Sequence, residues 1–459
     1  MSPQRVFLAV ALPVGVFIAL LLPSWTGYDE FSHYSRAVDI ASGSFFPVQN
    51  DQGTGSLIPA AYAEGTDLVI LNYQEGNNPT NWAHISELME LRPDGRMMFV
   101  DTRATSASTP VAYLPAAAGM SVPVVLDAPG IVVLWAGRLF SLAAYLGLAY
   151  LAIRSAKRFR WTLAIVGLLP LNLTLAASVS PDGLTIAALL MTVAIWTRVE
   201  EGEETPLGWM ACAFLLLALA KPPYFLVLAL FPALLLAGRT RARLHSTLLG
   251  TAALTIGICS ALINSSENYR AVTFSLIGSS NFQPDVQFAR LLSDLPDFIL
   301  TSASTWFREL NDYIPDWFRQ LGSWESALPA GVGWLFLVAM ITAAVRLDAA
   351  DYLITRGLSR SLVGVGVGGM LLVLYGSSYI YFSDRTDYVG IGIQMARYSV
   401  PLAILGLIGW IPRWLAHRFR LDRPGGQAGA IGLVVTAVGV SLALSIVTWL
   451  ATGDEIPFG

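Results

Sequence analysis

Long apolar stretches alternate with short polar connections along most of the chain. Eleven of these stretches are long enough, or nearly so, to cross a hydrocarbon layer of about 30 Å as a helix. The pattern predicts an all-α polytopic membrane protein with about eleven transmembrane helices. The predicted spans are residues 6–23, 130–153, 160–179, 183–199, 206–220, 223–238, 246–263, 330–346, 360–382, 398–415 and 428–451.

Two polar segments, residues 24–129 and 264–329, are much longer than ordinary connections between helices. We therefore interpret residues 1–459 as a single transmembrane domain with two large loops. In the first loop, Thr109 to Leu126 is apolar but contains three prolines. Proline interrupts a helix, so this stretch is predicted to lie along the membrane surface, with a re-entrant hairpin as the alternative.

The second loop contains aromatic residues that alternate with charged ones. This alternation predicts an amphipathic helix at the membrane surface, and both a membrane anchor and the wall of a substrate groove are compatible with it. The aromatic members are Trp306, Phe307, Trp317, Phe318 and Trp324, and the charged members are Arg308, Glu309, Asp312, Asp316 and Arg319.

The basic residues predict the orientation of the helices. With the N-terminus in the cytoplasm, the basic clusters lie inside, as the positive-inside rule requires, and both long loops and the C-terminus lie outside. This predicts a multi-pass protein of the cytoplasmic membrane. The clusters are Arg154/Lys157/Arg158/Arg160, Arg239/Arg241/Arg243, Arg356/Arg360 and Arg413/Arg418/Arg420/Arg423. The first apolar run resembles a signal peptide, but no small-x-small cleavage site follows it, so we interpret it as an uncleaved helix.

Composition excludes several classes of protein. Hydrophobic residues make up 54% of the chain and charged residues 13%, whereas a soluble domain has roughly 25% charged residues. The net charge of -4 gives no basic field that would attract nucleic acid. Cys212 and Cys259 each lie in an apolar run, which argues against a disulfide framework or a cysteine metal site.

The stretch from Gly27 to Tyr34, directly after the first predicted helix, carries the densest group of polar residues. In a helix that starts after Asp29, His33 lies one turn from both Asp29 and Glu30. Two carboxylates with an imidazole are typical of acid–base chemistry or of a metal site. Acidic residues are also common at a helix N-terminus, so the spacing leaves both interpretations open.

A further carboxylate, Asp182, lies in Ser180-Pro181-Asp182-Gly183 between the third and fourth predicted helices. Pro-Asp-Gly is ordinary turn chemistry, which explains Asp182 without any function. The predicted topology nevertheless puts Asp182 on the same outer side as Asp29 and Glu30. Together the three could bind a divalent cation such as Mg²⁺ or Mn²⁺ through oxygen ligands.

Three basic residues are predicted at or near the same outer boundary. Arg138 lies inside the second predicted helix, where a cation normally faces a polar cavity or a partner. Lys221 interrupts an apolar region before two prolines, and Arg397 precedes Tyr398 at the start of the tenth helix. A lysine there can also extend to the lipid headgroups without a further role. Three cations on one face favour binding of an anionic headgroup.

Several catalytic motifs are missing from the sequence. It contains no Gly-x-x-x-x-Gly-Lys, His-Glu-x-x-His, Gly-x-Ser-x-Gly or strand-to-helix dinucleotide fingerprint. ATP-driven pumping, zinc proteolysis and serine hydrolysis therefore have no support. Asp-x-Asp is absent as well, so a sugar donor would more naturally be linked to a lipid than to a nucleotide.

The order of these elements resembles the GT-C superfamily of multi-pass glycosyltransferases. Within it, the chain most resembles an uncharacterised bacterial family of predicted membrane proteins, domain of unknown function 2142, over residues 1 to about 415. The matching features are Asp29-Glu30 with His33, Val111-Ala112-Tyr113-Leu114-Pro115, Gly137-Arg138-Leu139, Ser180-Pro181-Asp182-Gly183, Ala220-Lys221-Pro222-Pro223 and Ala396-Arg397-Tyr398.

The resemblance implies transfer of a sugar from a polyprenyl-phosphate donor to a glycan, glycolipid or protein acceptor outside the membrane. Asp29 or Glu30 would be the catalytic base or a metal ligand, assisted by Asp182 and His33. The donor-binding residues would be Arg138, Lys221, Arg397, Tyr398 and Tyr113. The sugar, the acceptor and the choice between Asp29 and Glu30 stay open.

Two other classes of function compete with this interpretation. A transporter or lipid flippase would line a pathway with buried charges such as Arg138, and it would show an inverted repeat, which the sequence lacks. A non-catalytic scaffold of the cell envelope would not require the carboxylates to meet. Convergence of Asp29, Glu30 and Asp182 in space therefore separates the three classes.

Overall fold

The structure is a computed structural model that is predominantly helical, as the apolar pattern predicts. It describes the whole chain except residues 1, 26, 51–52, 75–81, 103–104, 106–107, 266–283, 322–323, 326–329, 356, 383–394, 419–425 and 452–459. Of the residues singled out above, Arg356, Arg420 and Arg423 lie outside the described part, and of Asp312 and Trp324 only the backbone is described.

Six helices in the described part are long and apolar enough to cross a membrane: Pro3–Leu21, Gly130–Ser155, Pro181–Glu200, Arg241–Ile263, Gly357–Ile380 and Gly426–Leu444. Five shorter apolar helices accompany them: Pro110–Val125, Leu207–Ala220, Tyr224–Leu236, Gly331–Leu347 and Ala396–Trp410. The polytopic all-α architecture is thereby confirmed, whereas the count of eleven crossings stays a prediction.

The helices of the first half have the following bounds: α1 Pro3–Leu21, α2 Glu30–Ala41, α3 Ala60–Gln74, α4 Trp82–Glu90, α5 Leu114–Val125, α6 Gly130–Ser155, α7 Arg160–Gly167, α8 Pro170–Ala176, α9 Pro181–Glu200, α10 Leu207–Ala220, α11 Leu230–Ala233 and α12 Arg241–Ser265. Short 3-10 helices cover Pro110–Tyr113, Tyr224–Ala229 and Leu234–Ala237. The span predicted for residues 160–179 is thus divided into α7 and α8, because Pro170 begins a new helix.

The helices of the second half are α13 Pro284–Ser293, α14 Leu295–Arg308, α15 Leu310–Tyr313, α16 Asp316–Arg319, α17 Ala330–Leu347, α18 Ala349–Ile354, α19 Gly357–Phe382, α20 Met395–Ser399, α21 Ala403–Trp410, α22 Arg413–Arg418 and α23 Gly426–Ala451, with a 3-10 turn at Val400–Leu402. Helix α9 is the innermost of the six long helices, since 94% of the residues in its apolar 18-residue stretch are buried. Its N-terminus carries Asp182 into the interior of the bundle.

The first loop contains a small sheet that the sequence analysis did not predict. Strands β1 Val48–Asn50, β2 Gly53–Pro59 and β3 Met97–Asp101 form an antiparallel sheet in the order β1-β2-β3. Gly55 pairs with Asp101, and a side chain at Gly55 would come within 2.2 Å of the Val100 carbonyl oxygen. The sheet packs with α2 and α3, and so fixes the segment that follows Asp29.

The apolar stretch with three prolines forms a 3-10 turn and helix α5, which pack closely against α6. A Cβ atom at Gly119 would come within 2.5 Å of the Ala136 carbonyl oxygen, and one at Gly137 within 2.3 Å of the Met120 methyl group. Small residues therefore allow the two backbones to approach. This contact places Tyr113, at the start of α5, beside α2.

The described part of the second loop packs against the bundle, and the amphipathic surface helix predicted for it stays a prediction. Helix α14 packs beside α19, where Phe298 contacts Tyr375 and Tyr379, and Trp306 at its other end stacks edge-on against Trp410. The chain then returns along α15 and α16, so that the Trp317 indole donates to the Ser399 hydroxyl at 3.3 Å. Buried residues one turn apart along α14 form one face of the helix, whereas most of its other residues are exposed.

Short β4 Gln320–Leu321 and β5 Trp324–Glu325 follow α16 as a two-residue antiparallel pair.

At the end of the bundle remote from Asp29, the predicted basic clusters form ion pairs with carboxylates. Arg158 pairs with Glu201 and Lys157 with Glu203, and the Asp351 carboxylate accepts from the Phe159 amide at 2.8 Å. The charged residues of these connections between helices thus lie at one end of the bundle, opposite the end that contains Asp29.

Candidate active site

Glu30 and Arg138 form an ion pair that is wholly buried. Both side chains are 0% exposed. The Arg138 Nε donates to Glu30 Oε1 at 2.8 Å, and its terminal nitrogens also donate to the carbonyl oxygens of Leu22 and Pro23 at 2.7 and 2.9 Å. A guanidinium presents its donors in a planar fork, which suits this bidentate contact.

The Glu30 carboxylate is also saturated by backbone groups. The Val179 amide donates to Oε1 at 2.9 Å and the Gly27 amide to Oε2 at 3.1 Å. The pair therefore fastens α2, α6 and the start of α9 to the end of α1. Both Glu30 oxygens are occupied, which supports a structural role and leaves Asp29 as the available carboxylate of the two.

Asp29 adopts a left-handed backbone conformation with φ of 51°, which Asp and Asn tolerate better than other non-glycine residues. This turn directs the chain from α1 into α2 and leaves the Asp29 side chain 65% exposed. One Asp29 oxygen accepts from an Arg397 terminal nitrogen at 2.7 Å. Burial around the site would raise the pKa of Asp29, but the charge and hydrogen bond of Arg397, together with His33 and Lys221, hold the pKa below the usual value.

Arg397 joins Asp29 to Asp182. Its Nε donates to Asp182 Oδ2 at 2.9 Å, and the other Asp182 oxygen contacts the Lys221 ammonium group. Arg397 is 2% exposed and Asp182 1%, whereas Lys221 is 12% exposed. We call Asp29, Asp182, Lys221 and Arg397 the ionic cluster. Its four members come from chain segments that are far apart in sequence.

Aromatic rings surround the two cations of the ionic cluster. The Arg397 guanidinium lies 5.2 Å from the Tyr28 ring centroid and 5.6 Å from that of Tyr398, and the Lys221 ammonium lies 4.8 Å from the Tyr398 centroid. The Tyr224 hydroxyl donates to the Tyr398 carbonyl oxygen at 2.7 Å and anchors that segment. Sequence analysis missed Tyr28 and Tyr224, although Tyr28 directly precedes Asp29.

His33 and Tyr113 form a second polar pair beside the ionic cluster. The His33 Nδ1 lies 2.8 Å from the Tyr113 hydroxyl oxygen, and the His33 amide donates to the Asp29 carbonyl oxygen at 3.1 Å. Burial, and after it the charge of Arg397, lowers the pKa of His33 from 6.5 to about 3. His33 is therefore neutral at ordinary pH.

This lowered pKa makes His33 a source of acid sensitivity. Below pH 6.5 the unfolded chain binds a proton at His33 that the folded protein does not bind, so the free energy of unfolding falls as the pH decreases. The expected loss between pH 7.5 and pH 5 is roughly 2 kcal/mol. Thermal unfolding of the wild type and of His33→Asn at both pH values measures it, because Asn cannot titrate. An equal pH effect in the two proteins would contradict the prediction.

The predicted site residues thus separate into two groups. Asp29, Asp182, Lys221, Arg397 and Tyr398 come together, with His33 and Tyr113 beside them, whereas Glu30 and Arg138 pair with each other in the interior. The carboxylates Asp29 and Asp182 are already matched by two cations, and Glu30 by Arg138. No group of three His, Cys, Asp or Glu side chains placed to hold a metal occurs in the described part of the chain. Binding of a divalent cation by Asp29, Glu30 or Asp182 stays a prediction.

Comparison with known proteins agrees with this architecture. Curated proteins give no match to the chain. The sequence model of one family, described as a predicted membrane protein of domain of unknown function 2142, matches residues 12–406. The match begins in α1 and ends in α21, so it includes every member of the ionic cluster. The chain therefore belongs to the family of predicted membrane proteins defined by domain of unknown function 2142.

Proposed function

We propose that the protein is a membrane glycosyltransferase that takes a sugar from a polyprenyl-phosphate donor. The observation that carries the proposal is the ionic cluster itself. Two buried cations and one exposed carboxylate from distant segments meet at one end of the bundle. A lipid phosphate requires cations at the end of an apolar path, and attack by a hydroxyl group requires a base that solvent can reach.

An apolar cavity of about 280 Å³ begins next to the ionic cluster. Ser399, two residues after Arg397, lines it together with Leu402 and Ala403, and the cavity extends to Trp410 at the far end of α21. Its other walls are α17, α19 and the second loop, which contributes Trp306 and Trp317. A hydrocarbon chain in this cavity would place an attached phosphate beside Lys221 and Arg397.

The charges of the ionic cluster sum to zero before a donor binds, with two carboxylates against two cations. A phosphate group adds negative charge and competes for Arg397 and Lys221. Asp182 is buried between both cations, whereas Asp29 is 65% exposed and pairs with one of them, Arg397. We therefore propose that the donor phosphate displaces Asp29 from Arg397. Without its cation, the Asp29 carboxylate becomes a stronger base.

Displaced Asp29 then accepts the proton of an acceptor hydroxyl group. The hydroxyl oxygen forms a bond to the anomeric carbon of the sugar, and the bond from that carbon to the phosphate oxygen breaks. The electron pair of the broken bond stays on the lipid phosphate, where Lys221 and Arg397 stabilise the charge. Asp182 holds both cations in position for this step.

The same arrangement gives no support to a transport pathway through Arg138. That guanidinium is 0% exposed and its donors are used by Glu30 and by carbonyl oxygens. Sugar release from a panel of radiolabelled polyprenyl-phosphate sugars, measured with purified protein in detergent, tests transfer directly. Absence of turnover with every donor in a folded protein would favour the transporter or flippase class instead.

Lys221→Ala is expected to weaken binding of undecaprenyl phosphate by about tenfold or more, because a charge-assisted hydrogen bond to the phosphate is lost. The affinity of purified protein for this lipid, measured in detergent, checks the expectation. Lys157→Ala serves as the control, since Lys157 pairs with Glu203 at the opposite end of the bundle. Equal affinities of Lys221→Ala and wild-type protein would remove Lys221 from the donor site.

A further inference from the structure

The tautomer of His33 depends on the hydrogen bonds of Tyr113. The Tyr113 hydroxyl has a single proton, and it can donate this proton to the Thr105 carbonyl oxygen at 3.3 Å. With the proton assigned to that carbonyl oxygen, the contact with His33 Nδ1 at 2.8 Å uses an Nδ1–H donor and the tyrosine oxygen as acceptor. In a neutral ring with its proton on Nδ1, Nε2 carries a free lone pair. His33 therefore presents a hydrogen-bond acceptor at Nε2.

This acceptor is unused in the described part of the chain. His33 is 5% exposed, and its Nε2 is buried without a hydrogen-bond partner there. Buried polar atoms in proteins are nearly always paired, so an unpaired acceptor calls for a ligand or a water molecule. His33 lies one helical turn after Asp29, and its amide donates to the Asp29 carbonyl oxygen at 3.1 Å. The His33 side chain is thus close to the Asp29 end of the ionic cluster.

We propose that His33 Nε2 accepts a hydrogen bond from a hydroxyl group of the donor's sugar, which makes His33 a specificity-determining residue. The proposal rests on the proposed function, because the sugar is brought there by the phosphate on Lys221 and Arg397. A sugar is a ligand rich in hydroxyl donors, and neither a polyprenyl chain nor a phosphate ester provides one. A site that bonds a hydroxyl group rejects ligands that lack it, since its buried acceptor would otherwise stay unpaired.

Two substitutions test the roles of the two ring nitrogens of His33 separately. Asparagine places an amide nitrogen near the position of Nδ1, so His33→Asn keeps a donor for Tyr113 and removes the acceptor at Nε2. Glutamine places its amide near the position of Nε2, so His33→Gln can still meet the sugar through its amide oxygen. If His33 only supported the fold, its replacement would weaken binding of the lipid phosphate equally with and without an attached sugar.

The experiment measures the affinity of purified wild-type protein, His33→Asn and His33→Gln for undecaprenyl phosphate and for the same lipid phosphate carrying glucose, mannose or arabinose. We expect His33→Asn to weaken binding of the preferred glycosylated lipid by about tenfold and to leave binding of undecaprenyl phosphate unchanged. His33→Gln should recover part of the loss.

Three results would overturn the proposal. His33→Asn with wild-type affinity for every glycosylated lipid would show that Nε2 does not contact the sugar. An equal loss of affinity for lipids with and without the sugar would make His33 a structural residue. If none of the sugars increased the affinity of the wild-type protein for the lipid phosphate, there would be no sugar contact for His33 to make. In each of these three cases, binding of undecaprenyl phosphate by the wild-type protein would still agree with the proposed function. Wild-type protein that binds none of these lipids would overturn both.

Discussion

Replacement of Asp29 by Asn should abolish sugar transfer and at the same time tighten binding of the lipid phosphate. The loss of turnover is expected to be about 10²- to 10⁴-fold, the contribution of a positioned general base. Asn cannot take the proton from the acceptor's hydroxyl group, yet it tolerates the left-handed conformation at φ of 51° as Asp does. Radiolabelled sugar transfer by the purified variant, at saturating donor, measures the loss.

The tighter binding follows from the competition for Arg397. In the wild type the phosphate must displace a carboxylate from that guanidinium, whereas a neutral amide competes weakly. Because Asp29 is 65% exposed, the gain in affinity for undecaprenyl phosphate should be modest, roughly two- to fivefold. Asp94→Asn is a matched control, since Asp94 is also an exposed aspartate of the first loop and pairs with Arg96. Unchanged turnover in Asp29→Asn would exclude Asp29 as the base.

Replacement of Glu30 by Gln should instead prevent stable folding. The variant leaves the Arg138 charge buried without its partner, which costs about 3–5 kcal/mol. It also weakens the acceptor for the Val179 and Gly27 amides. Thermal unfolding in detergent and the yield of monodisperse protein measure the effect. Glu203→Gln, which changes an exposed carboxylate paired with Lys157, should be close to neutral.

A double variant separates charge from packing at this pair. Glu30→Gln combined with Arg138→Met removes both charges, so it should be more stable than Glu30→Gln alone. A fully stable Glu30→Gln protein that has lost only its transfer activity would reverse the roles assigned to Asp29 and Glu30.

Asp29 and Glu30 show how far sequence reasoning extends at this site. Both are acidic residues at the start of a helix, both lie one turn from His33, and the spacing gives no reason to prefer either. Asp29 lies just before α2 in a left-handed turn with φ of 51°, whereas Glu30 is the first residue of the helix. This turn directs Asp29 toward Arg397 and Glu30 toward the buried Arg138, which depends on how α2 packs against α6.

The second loop shows the same limit for the fold. Its aromatic and charged residues recur at helical spacing, which fits a helix at a membrane surface and a helix inserted between others equally well. The contacts of Phe298 with Tyr375 and of Trp306 with Trp410 identify the packing partners of the buried face of α14. A periodic pattern specifies which face of a helix is apolar, but the partner of that face comes from elsewhere in the chain.

The sequence by itself determined that the chain is a multi-pass helical membrane protein, because apolar stretches of about 20 residues have few other stable solutions. It also indicated Asp29, Asp182, Lys221 and Arg397 as residues of one region, since each lies at a predicted helix end. Tertiary structure alone decided that these four meet as one ionic cluster while Glu30 and Arg138 pair separately. The reason is that side-chain contacts between residues 39 to 368 positions apart depend on how the helices pack, which local patterns do not encode.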